Sequence, residues 1–129
     1  LLIPGIKADY YTRSSLKHFI KNNFRNGFWS IYPIAFLDYI PVSFRHMIPM
    51  FFVLSLAIFS ILALIFPVFW NALLIIMILY LIGAFSFSFR EKKISNFFLL
   101  PIFFFLLHIT YGFGSVLALI KIPFVKFSR

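Results

Sequence analysis

The chain has 129 residues, a mean hydropathy of +1.02, only 12% charged residues and a formal net charge of +9. A water-soluble protein of this size needs a largely polar surface, and so little polar material excludes that class. The absence of cysteine excludes disulfides and thiolate metal ligands.

The first residues, Leu1-Leu2-Ile3-Pro4-Gly5, have no basic n-region and no small-residue cleavage site beside a short apolar core, so they are not a signal peptide. The start reads as that of a fragment. From 7 to 46 the chain is basic, aromatic and broken by prolines. Within this stretch Leu16, Phe19, Ile20 and Phe24 recur at helical spacing, while Lys17, His18, Lys21, Asn22 and Arg25 take the other side. That pattern predicts an amphipathic helix in the membrane interface. Ser14 or Ser15 suits its N-cap, and Gly27 suits the left-handed C′ position.

Two readings of the helix stay open on periodicity alone. One is a plain anchor, to which each Lys or Arg adds about 1 kcal/mol of attraction for an anionic surface. The other is that Arg13, Lys17, Lys21 and Arg25 bind phosphates, for which Arg offers a bidentate fork. Downstream, Pro33, Pro41 and Pro49 predict short interfacial helices separated by bends.

Three apolar runs follow, at 47–66, 68–89 and 97–120, and none contains Lys, Arg, Asp or Glu. At about 1.5 Å per helical residue they reach roughly 30 to 36 Å, enough for a hydrocarbon core of about 30 Å. The first crossing helix is expected to start near Arg45 or His46 with Pro49 in its first turn, where a missing amide hydrogen costs nothing. Pro101 is expected to play the same part in the third. The fold class is therefore an all-α membrane protein: amphipathic interfacial helices over 13–45, then a three-helix transmembrane region over 46–129.

Orientation follows from the basic residues beside the spans. Lys7, Arg13, Lys17, Lys21, Arg25 and Arg45 precede the first, and Arg90, Lys92 and Lys93 lie between the second and third, while the turn at Pro67 is uncharged. Cationic flanks prefer the anionic cytoplasmic leaflet, which places the amino-terminal side and the 90–96 loop in the cytoplasm. The carboxyl tail is then outside by parity, with Lys121, Lys126 and Arg129 counting against the assignment. Trp29, Tyr32, Tyr39, Trp70 and Tyr80 include candidates for the interfacial aromatic belt. The Arg90-Glu91-Lys92-Lys93 cluster reads as a solvated topogenic loop.

His108 falls halfway along the third run, where an ionisable group is costly. With no second ionisable residue evident at that depth, it is expected to hydrogen-bond across helices, or within its own helix through Thr110 or a freed carbonyl. Gly112, Gly114, Ser115 and Ala118 form a small-residue strip for close helix packing, against span one, span two or another protomer in a homo-oligomer.

Four stretches in order carry a resemblance: Tyr11-Thr12-Arg13-Ser14-Ser15-Leu16, Asn22-Asn23-Phe24-Arg25-Asn26-Gly27-Phe28-Trp29, Pro41-Val42-Ser43-Phe44-Arg45-His46-Met47-Ile48-Pro49 and His108-Ile109-Thr110-Tyr111-Gly112-Phe113-Gly114. Together they resemble the carboxyl-terminal third of bacterial family 2 glycosyltransferases of the succinoglycan-biosynthesis type, over nearly the whole chain. The resemblance implies that a GT-A catalytic domain, with a metal-binding Asp-x-Asp, precedes Leu1. Residues 1–12 would be its tail, with its last strand near 8–12. A divalent cation, Mg or Mn, would belong to that domain, with no cofactor bound by the present chain.

Wider members carry Gln-x-x-Arg-Trp on the interfacial helix, near the donor diphosphate and the acceptor. The nearest match here, Asn22-Asn23-Phe24-Arg25-Asn26, keeps the Arg and replaces Gln and Trp. Loss of the Trp, on which a terminal sugar could stack, fits single addition to a lipid-linked acceptor better than processive synthesis. Arg25, Asn22, Arg13 and Lys21 are the implied diphosphate- and acceptor-binding residues. No catalytic residue is assigned, because the only carboxylates, Asp9, Asp38 and Glu91, are scattered.

The expected partners are thus the lipid bilayer, a nucleotide sugar and a lipid-linked or polysaccharide acceptor, at the bacterial inner membrane. The alternative is a small standalone accessory or structural membrane protein, which an upstream reading frame encoding Asp-x-Asp would eliminate. Nucleic acid is not an expected partner, since the positive charge lies beside the spans and topology explains it.

Overall fold

The computed structural model describes residues 15–37, 39, 42–91 and 93–127, with the side chains of 126 and 127 left aside. Its helices are α1 (Leu16–Ile31), α2 (Ile48–Ile65), α3 (Phe69–Ser88) and α4 (Ile94–Phe127), with 3-10 turns at Tyr32–Ala35 and Phe44–His46. Among the described residues there is no strand, and α2, α3 and α4 are each long and apolar enough to cross a membrane.

The start of α1 is at the expected cap. Ser15 has extended backbone (φ −117°, ψ 134°), and its hydroxyl accepts from the His18 amide at 3.4 Å. The end differs. Gly27 does not close the helix, which runs on to Ile31 and hands over to the Pro33-containing turn. Glycine there serves a second use of a missing side chain, the close approach of another helix: a Cβ at Gly27 would overlap the Tyr111 carbonyl of α4.

Pro49 stands in the first turn of α2 as expected, and α2 stops where Phe66 turns extended (φ −123°, ψ 101°) ahead of Pro67. The third apolar helix begins earlier than its uncharged run. Asn96 and Phe97 amides bond the Lys93 carbonyl at 3.0 and 3.2 Å, and Asn96 Nδ2 donates to Glu91 Oε2 at 3.1 Å, so the first turn forms on polar residues. Pro101 therefore lies inside α4 rather than in its first turn, and the helix also continues past Lys121 and Pro123. At about 1.5 Å per residue α4 is roughly 51 Å long, well beyond a hydrocarbon core of about 30 Å.

Every other helix packs on α4. The α2–α3 pair is antiparallel, with Phe52 stacked on Tyr80 (4.7 Å) and Phe59 on Phe69 (5.8 Å). The α3–α4 pair is antiparallel too: Phe89 meets Phe97, Phe87 meets Phe104 and Tyr80 meets His108. Between α1 and α4 the contacts advance in the same sense, from Phe19 on Phe103 to Gly27 on Tyr111 and then to the cluster of Ile31, Met50 and Ala118. Outward faces stay apolar; Leu64 and Ile94 are 80% and 75% exposed. That is the surface expected of helices solvated by lipid.

Candidate binding site on α1 and α4

The sequence pattern gave α1 an apolar face for lipid, but much of that face meets α4 instead. Phe19 packs edge-on against Phe103 at 5.6 Å. A Cβ on Gly114 would overlap the Phe24 carbonyl and stand 2.9 Å from the Phe28 amide nitrogen. Ser115, fully buried, donates to the Gly27 carbonyl at 3.0 Å and to the Tyr111 carbonyl at 3.1 Å. Three residues before Ser115, Gly112 admits Pro49 and Val53 of α2. The small-residue strip thus serves two partners, and the amphipathic helix was not among those expected. Lys121 Nζ lies over the Phe28 ring at 5.6 Å, which helps a cation sit on an otherwise apolar helix.

Docking fixes the direction of the polar face. Lys17, Lys21 and Arg25 recur every four residues, and all three are exposed. Asn22 is half-buried beside them, and its neighbour Asn23 spends its amide on the Phe19 carbonyl at 3.0 Å. Arg13, the remaining predicted phosphate ligand, lies outside the described residues, as do Asp9, Asp38 and the proposed strand at 8–12. Like charges four apart on a helix destabilise it by a few tenths of a kcal/mol per pair. Among the described residues no acid offsets them: the sole described carboxylate, Glu91, accepts from Asn96. A stripe of this kind is suited to an anion supplied from outside the chain.

Beside the stripe an open groove of about 820 Å³ runs between α1 and α4. Its walls are Leu16, Ile20 and Phe24 on one side and Phe113 and Leu117 on the other, with Lys17 and Lys21 also lining it. No sequence signal marked it, because it forms only where α1 meets α4.

His108 is satisfied locally and across helices. Its Nδ1 is 2.8 Å from the Phe104 carbonyl, which assigns the proton to Nδ1, and 3.3 Å from the Tyr80 hydroxyl. Thr110 takes no part; its hydroxyl donates to the Leu106 and Leu107 carbonyls. Tyr80 is therefore an interior partner of α4 rather than a belt residue, whereas Trp29, Tyr39 and Trp70 are exposed. Among the described residues no three His, Asp or Glu side chains gather to hold a metal ion. The chemistry available at the α1 face is anion binding, with no nucleophile or base assigned.

No family model, curated protein or solved structure matches the chain. Its own geometry carries the functional argument.

Proposed function

We propose that this chain is the membrane-anchoring part of a glycosyltransferase, moving a sugar from a nucleotide-sugar donor to a lipid-linked or polysaccharide acceptor at the cytoplasmic face of the bacterial inner membrane. The observation that supports this reading is the docking of α1: the helix is held to α4 at Gly27, Gly114 and Ser115, with Lys21 and Arg25 turned outward. A catalytic domain joined ahead of α1 would sit at a fixed distance from lipid, over a cationic face that meets a diphosphate. Arg25 would offer a bidentate guanidinium to the leaving diphosphate, with Lys21 adding charge and Asn22 a hydrogen bond. The base, and the metal of the resembled family, would belong to that preceding domain.

The test is kinetic. In the full-length enzyme Arg25→Ala is expected to lower turnover at least tenfold, the scale of a lost transition-state cation, with membrane insertion unchanged. Unaltered kinetics would remove the diphosphate role and leave anchoring alone. Orientation has its own test in this cysteine-free chain. Asn26→Cys and Ser95→Cys should react with a membrane-impermeant thiol reagent from the cytoplasmic side, and Pro67→Cys from the other. Labelling of Asn26→Cys from outside would separate α1 from its sugar nucleotide and end the proposal.

A further inference from the structure

We propose that the groove between α1 and α4 binds one anionic phospholipid of the surrounding bilayer, with an acyl chain between the two helices and the phosphate held by Lys17 and Lys21. The site shares Lys21 with the diphosphate reading but does not rest on it, and would serve any protein that carries this chain.

Three observations carry it. The first is the lining. Ile20 and Phe24 face Phe113 and Leu117 across a groove whose volume falls in the ~300–1,000 Å³ range of small-molecule sites. The hydroxyl of Thr110, which also lines it, is already committed to the Leu106 and Leu107 carbonyls. The interior therefore favours a hydrocarbon chain over a sugar or a nucleotide, whose hydroxyls would lose their partners there.

The second is charge. Lys17 and Lys21 border the groove one helical turn apart, without an ion pair among the described residues. An ammonium pair bordering an apolar slot complements an amphiphile whose phosphate joins its chain. A zwitterionic lipid brings its own cation to that phosphate, so an anionic headgroup is the better complement.

The third is position along α4. Contacts of α1 run from Phe19 on Phe103 to Gly27 on Tyr111, so α1 lies beside the apolar part of α4 rather than beyond its end. Lysine stems reach along such apolar surface to put the ammonium at a phosphate.

The experiment is native mass spectrometry of the intact chain from detergent, titrated with phosphatidylglycerol, chain-matched phosphatidylcholine and glycerol phosphate. One phosphatidylglycerol should bind at least tenfold more tightly than phosphatidylcholine, and glycerol phosphate should not bind. At about 1 kcal/mol for each cation near a lipid surface, Lys17→Gln with Lys21→Gln should weaken phosphatidylglycerol about thirtyfold. Ile20→Trp, which fills the groove and keeps both lysines, should also weaken it, while Arg90→Gln with Lys93→Gln should leave it unchanged. Equal affinity for the two lipids would overturn the proposal. So would binding of glycerol phosphate, an unaffected Ile20→Trp, or equal loss in the Arg90/Lys93 variant, which would mean diffuse charge attraction. Should circular dichroism show the double lysine variant misfolded, Lys21→Gln alone at its exposed position should weaken binding about fivefold, and no change there would overturn it equally.

Discussion

The Ser115 hydroxyl donates to the Gly27 carbonyl at 3.0 Å, joining residues 88 positions apart. The same carbonyl accepts from Ser30 Oγ at 2.8 Å, and the Ser115 hydroxyl also reaches its own helix at Tyr111. This small polar knot sits where α1 and α4 come closest, and it makes α1 a packed element of the bundle rather than a separate float on the lipid surface.

Ser115→Ala removes the interhelical bond without adding volume. The cost should be about 0.6 kcal/mol and no more than about 1.7 kcal/mol, the average and the upper value for hydrogen bonds between membrane helices, read as a shift in detergent-induced unfolding followed by tryptophan fluorescence. An unfolding curve identical to the parent's would mean that the bond adds nothing to docking.

Glycine positions should split by sign. Gly83 has open space around its Cβ position, so Gly83→Ala should stabilise α3 by up to about 1 kcal/mol through helix propensity. Gly27→Ala and Gly114→Ala meet backbone atoms of the facing helix and should destabilise by about 1 to 3 kcal/mol, as overpacked sites do. Thermal unfolding of the three variants side by side checks this. Uniform stabilisation would show that α1 and α4 do not touch at these residues.

Much of this was readable in the sequence, for reasons that also mark its limits. Uncharged runs of crossing length announce α2 and α3 to within two residues, because lipid demands apolar side chains on every face. The start of α4 is not legible because Ser95 and Asn96 look like loop residues, while the Asn96 and Phe97 amides bond Lys93 and the Asn96 side chain bonds Glu91. Gly27 was misread because glycine serves both a left-handed cap and a close crossing, and only the distant Tyr111 carbonyl distinguishes them. The cationic residues of the candidate site were visible as a helical stripe. The groove beside them was not, since it exists only once α1 meets α4.

The His108 contact should be modest and mostly local. Tyr80→Phe deletes the weaker 3.3 Å partner and keeps the Phe52 stacking, so its cost should be about 0.6 kcal/mol, the average for such bonds in membrane bundles. His108→Leu also leaves the Tyr80 hydroxyl without that partner, so a double-mutant cycle of these two changes should give a coupling energy of about 0.6 kcal/mol. A coupling above about 2 kcal/mol would point to a role for the pair beyond packing.

Docking of α1 along α4 is the claim on which both the cationic platform and the lipid groove rest, and cross-linking in native membranes tests it most directly. Phe19→Cys combined with Phe103→Cys replaces two rings whose centroids lie 5.6 Å apart in a chain with no other cysteine. A short bifunctional thiol reagent should join them within one chain, while Phe19→Cys paired with Trp70→Cys, the latter near the start of α3, should remain open. Equal or absent cross-linking in the two pairs would contradict the account.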